Sequence, residues 1–137
     1  MLGLLTTRAE RTLLIASGVA GALAVALGAF GAHGLRGHLA TLMDGEARRR
    51  LWETAAHYHL VHALAIAAAG YLAGKPSAPG LAATAGWCFI LGIVLFSGSL
   101  YTMTVTDLRA LGAVTPIGGL LLVAGWVALA LAAWRLP

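Results

Sequence analysis

Four stretches of this chain, 12–35, 54–74, 76–106 and 110–134, contain no Asp, Glu, Lys or Arg; all nine basic and five acidic residues lie between or beyond them. A membrane helix needs about 20 consecutive apolar residues to cross the hydrocarbon core, and each run is long enough. A charged side chain at mid-bilayer costs roughly 2.5–3.5 kcal/mol on insertion scales. The pattern therefore predicts four crossings, over 12–33, 46–73, 79–105 and 110–134. In the first loop, Leu35, Leu39, Leu42 and Met43 fall at i, i+4, i+7 and i+8. That one-sided stripe predicts a short helix over 35–43 lying in the membrane interface. The expected fold is all-α: one integral membrane four-helix bundle over 1–137, with an interfacial helix in its first loop.

Breaks between the runs carry ordinary turn chemistry. Asp44-Gly45 ends the interfacial segment, and Asp44 is placed to cap the second long helix. Gly74-Lys75-Pro76-Ser77 and Asp107-Leu108-Arg109 form the next two turns. Thr115-Pro116 reads as an N-cap followed by proline at the first helical position; alternatively the fourth helix starts near Leu108 and Pro116 kinks it. Ala24-Val25-Ala26 resembles a signal-peptidase site, but the apolar run continues to Leu35, which favours a retained first helix.

Composition supports the membrane reading. Charged residues make up 10% of the chain and apolar residues 60%, with no Asn or Gln anywhere; a soluble domain would carry about a quarter charged residues. The net charge of +4 fits short basic loops at a membrane surface. No basic face with interleaved aromatics points to nucleic acid. Arg48, Arg49 and Arg50 are expected as a solvated triplet at headgroup level, with Trp52 as an interfacial anchor. Basic residues divide four (Arg8, Arg11, Lys75, Arg135) against five (Arg36, Arg48, Arg49, Arg50, Arg109) between the two sides, which leaves the orientation undecided. Cys88 is the single cysteine and forms no intrachain disulfide.

Polar residues inside the runs gather in one half of the membrane. His33 closes the first helix, His59 and His62 lie early in the second, Ser97, Ser99 and Tyr101 late in the third, and Thr115 opens the fourth. At about 1.5 Å per residue, His62 lies roughly 12 Å below Thr54, and Ser97 and Ser99 lie at similar depth. His59 and His62 are about 60° apart on their helix, whereas His57 is about 160° from His59, so the three form no facial metal triad. Two readings compete for the cluster: interhelical hydrogen bonding, or a polar pocket for an ion, a proton or a small ligand. No acidic orienter or nucleophile elbow accompanies the serines, and neither a metal nor a cofactor is expected. Ala24, Gly28 and Ala32, spaced by four, and Gly118 and Gly119 are candidate helix-packing positions.

Four segments carry a resemblance. Gly28-Ala29-Phe30-Gly31-Ala32-His33-Gly34-Leu35, Thr54-Ala55-Ala56-His57-Tyr58-His59 with His62-Ala63-Leu64-Ala65, Leu95-Phe96-Ser97-Gly98-Ser99-Leu100-Tyr101, and Val114-Thr115-Pro116-Ile117-Gly118-Gly119 with Gly125-Trp126 are similar to the signatures of domain-of-unknown-function family 423. The resemblance spans nearly the whole chain in order. It implies a small four-helix protein of the bacterial inner membrane, related to the mitochondrial transmembrane protein 256, and it carries no biochemical activity. Family members often have glutamine where this chain has His59, which favours a polar network over a metal site. The leading expectation is a non-enzymatic accessory or interaction protein whose partners are the lipid bilayer and either a second copy or another membrane protein. A small transporter or ligand-binding protein using the histidine and serine cluster is the alternative, and an intramembrane enzyme ranks third.

Overall fold

Thr7 and Glu10 set where the first helix begins. In the computed structural model, which describes residues 7–137, the Thr7 hydroxyl accepts from the Glu10 amide at 3.0 Å and the Glu10 carboxylate accepts from the Thr7 amide at 3.3 Å. This capping box satisfies two otherwise orphaned donors, so α1 covers Arg8–Ala29 and starts ahead of the expected Thr12. Its end is a π-helical turn, Phe30–Gly34, in which the Leu35 amide reaches the Phe30 carbonyl at 3.0 Å. The helix expected over 35–43, α2, is shorter, Arg36–Leu39. Leu35 and Leu39 are buried beside Trp52 in a small satellite core, whereas Met43 is fully exposed; the predicted stripe ends once the turn at 40–44 redirects the chain.

Three long helices follow: α3, Gly45–Ala73; α4, Pro79–Thr106; and α5, Thr115–Trp134. Pro79 starts α4 at a position that needs no amide donor. Asp107 stops it in the left-handed region at φ 58°, a conformation that Asp tolerates. A 3-10 turn over Arg109–Ala113 then leads directly into α5. Two expected caps are therefore absent. Asp44 gives its carboxylate to Arg48 instead of the α3 backbone. Thr115 sits inside the first turn of α5, and its hydroxyl donates back to the Leu111 carbonyl at 3.3 Å.

α3 and α4 form the central pair. α1 packs along α3, α5 packs along α4, and α1 and α5 do not meet. The central seam is built of alanine: Ala55, Ala69, Ala73, Ala82 and Ala85 are fully buried. Small side chains let backbones approach closely where lipid supplies no hydrophobic drive between helices. Leu13, Ile66, Phe89 and Leu122 fill the larger gaps. Among the described residues there is no strand.

Three segments, Arg8–Gly34, Pro79–Thr106 and Arg109–Trp134, are long and apolar enough to cross a membrane. α3 is not among them because three histidines and the charged first turns dilute it. It nevertheless runs antiparallel to α1 along its length: Thr7 reaches the Ala73 carbonyl at 3.5 Å near one end, and Trp52 reaches the Leu27 carbonyl at 2.8 Å near the other. Flanked on both sides, α3 can turn its polar residues toward protein.

Candidate functional site

The helix that lacks the apolar signal holds the others together. Ser17 of α1 donates to the Ala63 carbonyl at 2.9 Å, and Ser97 of α4 to the Ala55 carbonyl at 2.9 Å. Thr104 of α4 donates to the Arg48 carbonyl at 3.2 Å, and Trp52 of α3 to the Leu27 carbonyl. A helical carbonyl already accepting from the residue four positions on keeps a second lone pair, and these side chains use it. Such bonds average about 0.6 kcal/mol in membrane proteins, with a maximum of about 1.7. Among the described residues, no buried side-chain nitrogen or oxygen lacks a partner.

His62 is the most constrained of the candidates. Its Nδ1 lies 2.7 Å from the Tyr58 carbonyl, so that nitrogen must carry the proton. Its Nε2 lies 3.1 Å from Trp126 Nε1 of α5, and an indole nitrogen only donates. The partners thus assign a neutral Nδ1–H ring that accepts at Nε2. Neither nitrogen is left for a metal or for general-base work. Phe89, fully buried, packs against both the His62 and Trp126 rings.

The other candidates separate into distinct contacts. Ser99 and Thr115 bond to each other at 2.8 Å, joining α4 to α5. Tyr101 reaches His59 Nδ1 at 3.4 Å, a long contact between α4 and α3. His33 is exposed on the π-helical turn and joins neither pair. Thus the structure brings together Ser99 with Thr115 and His59 with Tyr101, and it pairs His62 with a tryptophan. It does not assemble His33, His62 and Ser99. Among the described residues no serine hydroxyl is hydrogen-bonded to a histidine: Ser97 donates to the Ala55 carbonyl, and Ser99 lies within hydrogen-bond distance of the Phe96 carbonyl and the Thr115 hydroxyl.

Of the packing positions, Gly118 is the tight one: a Cβ there would run into the Phe96 backbone, whereas at Gly119 it would meet only the Phe96 ring at 3.7 Å. Ala24 is buried, but Ala32 is exposed, and Gly28 has open space where a Cβ would lie. The close approach on α1 falls instead at Gly31, whose missing side chain makes room for the Trp52 indole.

Arg48 is not a solvated member of its triplet. Its side chain is 15% exposed and binds Asp44 at 3.0 Å, Asp107 at 3.1 Å and the Thr104 carbonyl at 3.4 Å. Arg109 adds contacts to Asp107 at 3.2 Å and Asp44 at 3.5 Å. This network ties the start of α3 to the end of α4. The Asp44–Arg48 spacing was readable as a helical i,i+4 pair; the link to Asp107 was not. Nearby, Glu46 bonds Arg49 at 2.8 Å and Arg50 at 3.2 Å, and Arg49 also binds Glu53. Hydrogen bonds from Arg49 and Arg50 hold the Glu46 carboxyl down to about 2, and the hydrogen bond from Arg48 lowers that of Asp44.

Two cavities flank α1. One, of about 800 Å³, lies at the charged end between the π-helical turn, α2 and the start of α3. The other, of about 620 Å³, is a groove between α1 and α4 floored by His59 and Ile66 of α3. Ser97 and Tyr101 border this groove, but its wall is nearly all apolar.

The chain belongs to the family described as protein of unknown function DUF423, which matches residues 27–119. It is 42% identical over 123 residues to the UPF0382 membrane protein YwdK of Bacillus subtilis (strain 168), covering 90% of this chain and 96% of that one. It is 42% identical to the UPF0382 membrane protein SH2409 of Staphylococcus haemolyticus, over 82% of this chain and 87% of the relative. The UPF0382 membrane protein SERP0230 of Staphylococcus epidermidis is 44% identical, with 80% and 84% covered. No solved structure matches. With its apolar helices and these relatives, the chain is a helical membrane protein. The matched span contains all seven of the polar candidates, from His33 to Thr115.

Proposed function

We propose that this protein is a non-enzymatic accessory protein of the bacterial inner membrane, crossing the bilayer four times and docking a helix of another membrane protein or of a second copy. The carrying observation is that most of its interior polar groups are spent on joining its own helices. His62 has both nitrogens engaged, Ser97 is clipped to α3, and Ser99 is paired with Thr115. A transporter would need a polar path with groups free to exchange partners; an esterase-like enzyme would need a serine within reach of a basic nitrogen. The open edge offers something else. The groove between α1 and α4 is long, largely apolar and backed by the packed α3–α4 pair, which suits the side chains of an incoming helix.

Crossing by α3 has physical support in its length. Its 29 residues span about 43 Å at 1.5 Å each, more than the roughly 30 Å hydrocarbon core.

A photo-crosslinking amino acid at Leu23, in the groove, should give one discrete adduct in intact membranes. The same group at Leu120, which is 72% exposed on α5 outside the groove, should give lipid adducts only. Identical behaviour at the two positions would contradict helix docking.

A further inference from the structure

We infer that the helix docked in the groove between α1 and α4 belongs to a different membrane protein and bears an asparagine or glutamine whose side-chain amide bonds to His59 on the groove floor. This rests on the docking reading above; what it adds is the chemistry of the partner. His59 is 6% exposed and lines the groove. Its one hydrogen bond among the described residues is the 3.4 Å contact of Nδ1 with the Tyr101 hydroxyl. Its Nε2 has no partner. Every sealed side-chain nitrogen or oxygen among those residues has one, so Nε2 is not sealed, and the space it opens on is the groove. His62, further along the same helix, has both of its nitrogens engaged.

Depth narrows what can reach that nitrogen. His59 lies five residues inside the charge-free run that begins at Thr54, about 7.5 Å at 1.5 Å per residue. At that level a phospholipid offers only hydrocarbon, because its headgroup stays at the interface. A transmembrane helix can present a polar side chain there. No charged residue lines the groove, so an incoming Asp, Glu, Lys or Arg would find no counter-charge. Hydroxyls inside a helix satisfy themselves, as Thr84, Thr102 and Thr104 do on carbonyls four residues back. A carboxamide has two N–H donors and an acceptor oxygen, more than its own helix turn supplies. The His59–Tyr101 pair is its complement. In either neutral tautomer one proton is used between Nδ1 and the hydroxyl, and the pair keeps one donor and one acceptor. This chain contains no Asn or Gln, so a second copy cannot supply the amide.

Gly98 separates docking from the hydrogen bond. It borders the groove, and a Cβ there would meet nothing within 4 Å, so Gly98→Leu fills the groove without displacing protein. Gly18, equally unencumbered but outside the groove, is the control. The full chain and synthetic leucine-rich transmembrane peptides would be placed in phosphatidylcholine vesicles, with association read by fluorescence energy transfer. One peptide is wholly apolar; the other has an Asn about five residues inside each end, to match the depth of His59. The Asn peptide should bind the wild type about fivefold more tightly than the apolar one. His59→Gln should keep that preference, and His59→Phe should lose it while still binding both peptides. Gly98→Leu, but not Gly18→Leu, should weaken both. Equal binding of the two peptides by the wild type, or an Asn preference that survives in His59→Phe, would overturn the inference and leave helix docking standing. Binding of neither peptide, or binding unaffected by Gly98→Leu, would remove foreign-helix docking from this groove and the inference with it, leaving lipid or a second copy as the occupant.

Discussion

Trp126 of α5 donates its indole N–H to His62 Nε2 of α3 at 3.1 Å, while Nδ1 of the same ring holds the Tyr58 carbonyl of its own helix at 2.7 Å. The pair is a direct polar link between two helices that otherwise touch little, since α4 stands between most of their length. It makes His62 a structural acceptor. Trp126→Phe, which keeps an aromatic ring against Phe89, should destabilise the fold by about 1 kcal/mol. A double-mutant cycle with His62→Ala, read by reversible unfolding in mixed micelles, should return a coupling of about 0.5–1.5 kcal/mol. Additive losses would mean that the two residues do not support each other.

Ser97 gives a separate check on the clips. It is fully buried, and its hydroxyl donates to the Ala55 carbonyl across the α3–α4 seam. Ser97→Ala should cost about 0.6–1.7 kcal/mol in the same unfolding assay. Ser97→Leu should cost more, because the seam has no room for it and overpacking costs about 1–3 kcal/mol.

Two adjacent glycines should behave oppositely. Gly118→Ala would place a Cβ against the Phe96 backbone, forcing α5 away from α4, at a cost of about 1–3 kcal/mol. Gly119→Ala meets only a side chain at ordinary contact distance and gains helix propensity of up to about 1 kcal/mol. Thermal melts of the two single variants should therefore move in opposite directions.

Acid should loosen the charged end first. The Glu46 carboxyl is held down to about 2 from an ordinary 4.5 by Arg49 and Arg50. A depressed carboxylate contributes stability that is present above its unfolded value and lost as pH falls through its folded value. Thermal stability should thus decline between about pH 4.5 and pH 2, with Asp44, lowered by Arg48, adding to the loss. Glu46→Gln should flatten part of that decline. An unchanged pH profile in this variant would show that the exposed pairs contribute nothing.

Where charges and prolines punctuate the sequence, the architecture was legible. α3 and α4 lie within one residue of the expected 46–73 and 79–105, since Asp44-Gly45, Gly74-Lys75-Pro76 and Asp107 mark their ends. The start of α1 was missed because its capping box lies ahead of the charge-free run, at Thr7 and Glu10. The candidate site was legible only in its parts. Sequence depth placed the histidines and hydroxyls in one half of the membrane, but helix rotation decided their partners. His62 turned toward Trp126, His33 turned outward, and the α1 stripe packed through Ala24 and Gly31 in place of Gly28 and Ala32. Arg48 was read as solvated because its partner Asp107 lies on another helix end, and periodicity along one helix carries no information about that.

The central claim is that His62, Ser97, Ser99 and Thr115 are engaged in holding helices, and that His62 in particular has neither nitrogen free for a ligand. The 15N spectrum of His62, in protein labelled at histidine and reconstituted in bilayers at neutral pH, tests it most directly. We expect a neutral ring with Nδ1 protonated and Nε2 accepting, unaltered by added Zn2+; in Trp126→Phe the Nδ1–H should stay bonded to the Tyr58 carbonyl while the acceptor shift at Nε2 is lost. A protonated Nε2, an imidazolium, or a Zn2+-dependent shift of the ring nitrogens would contradict it.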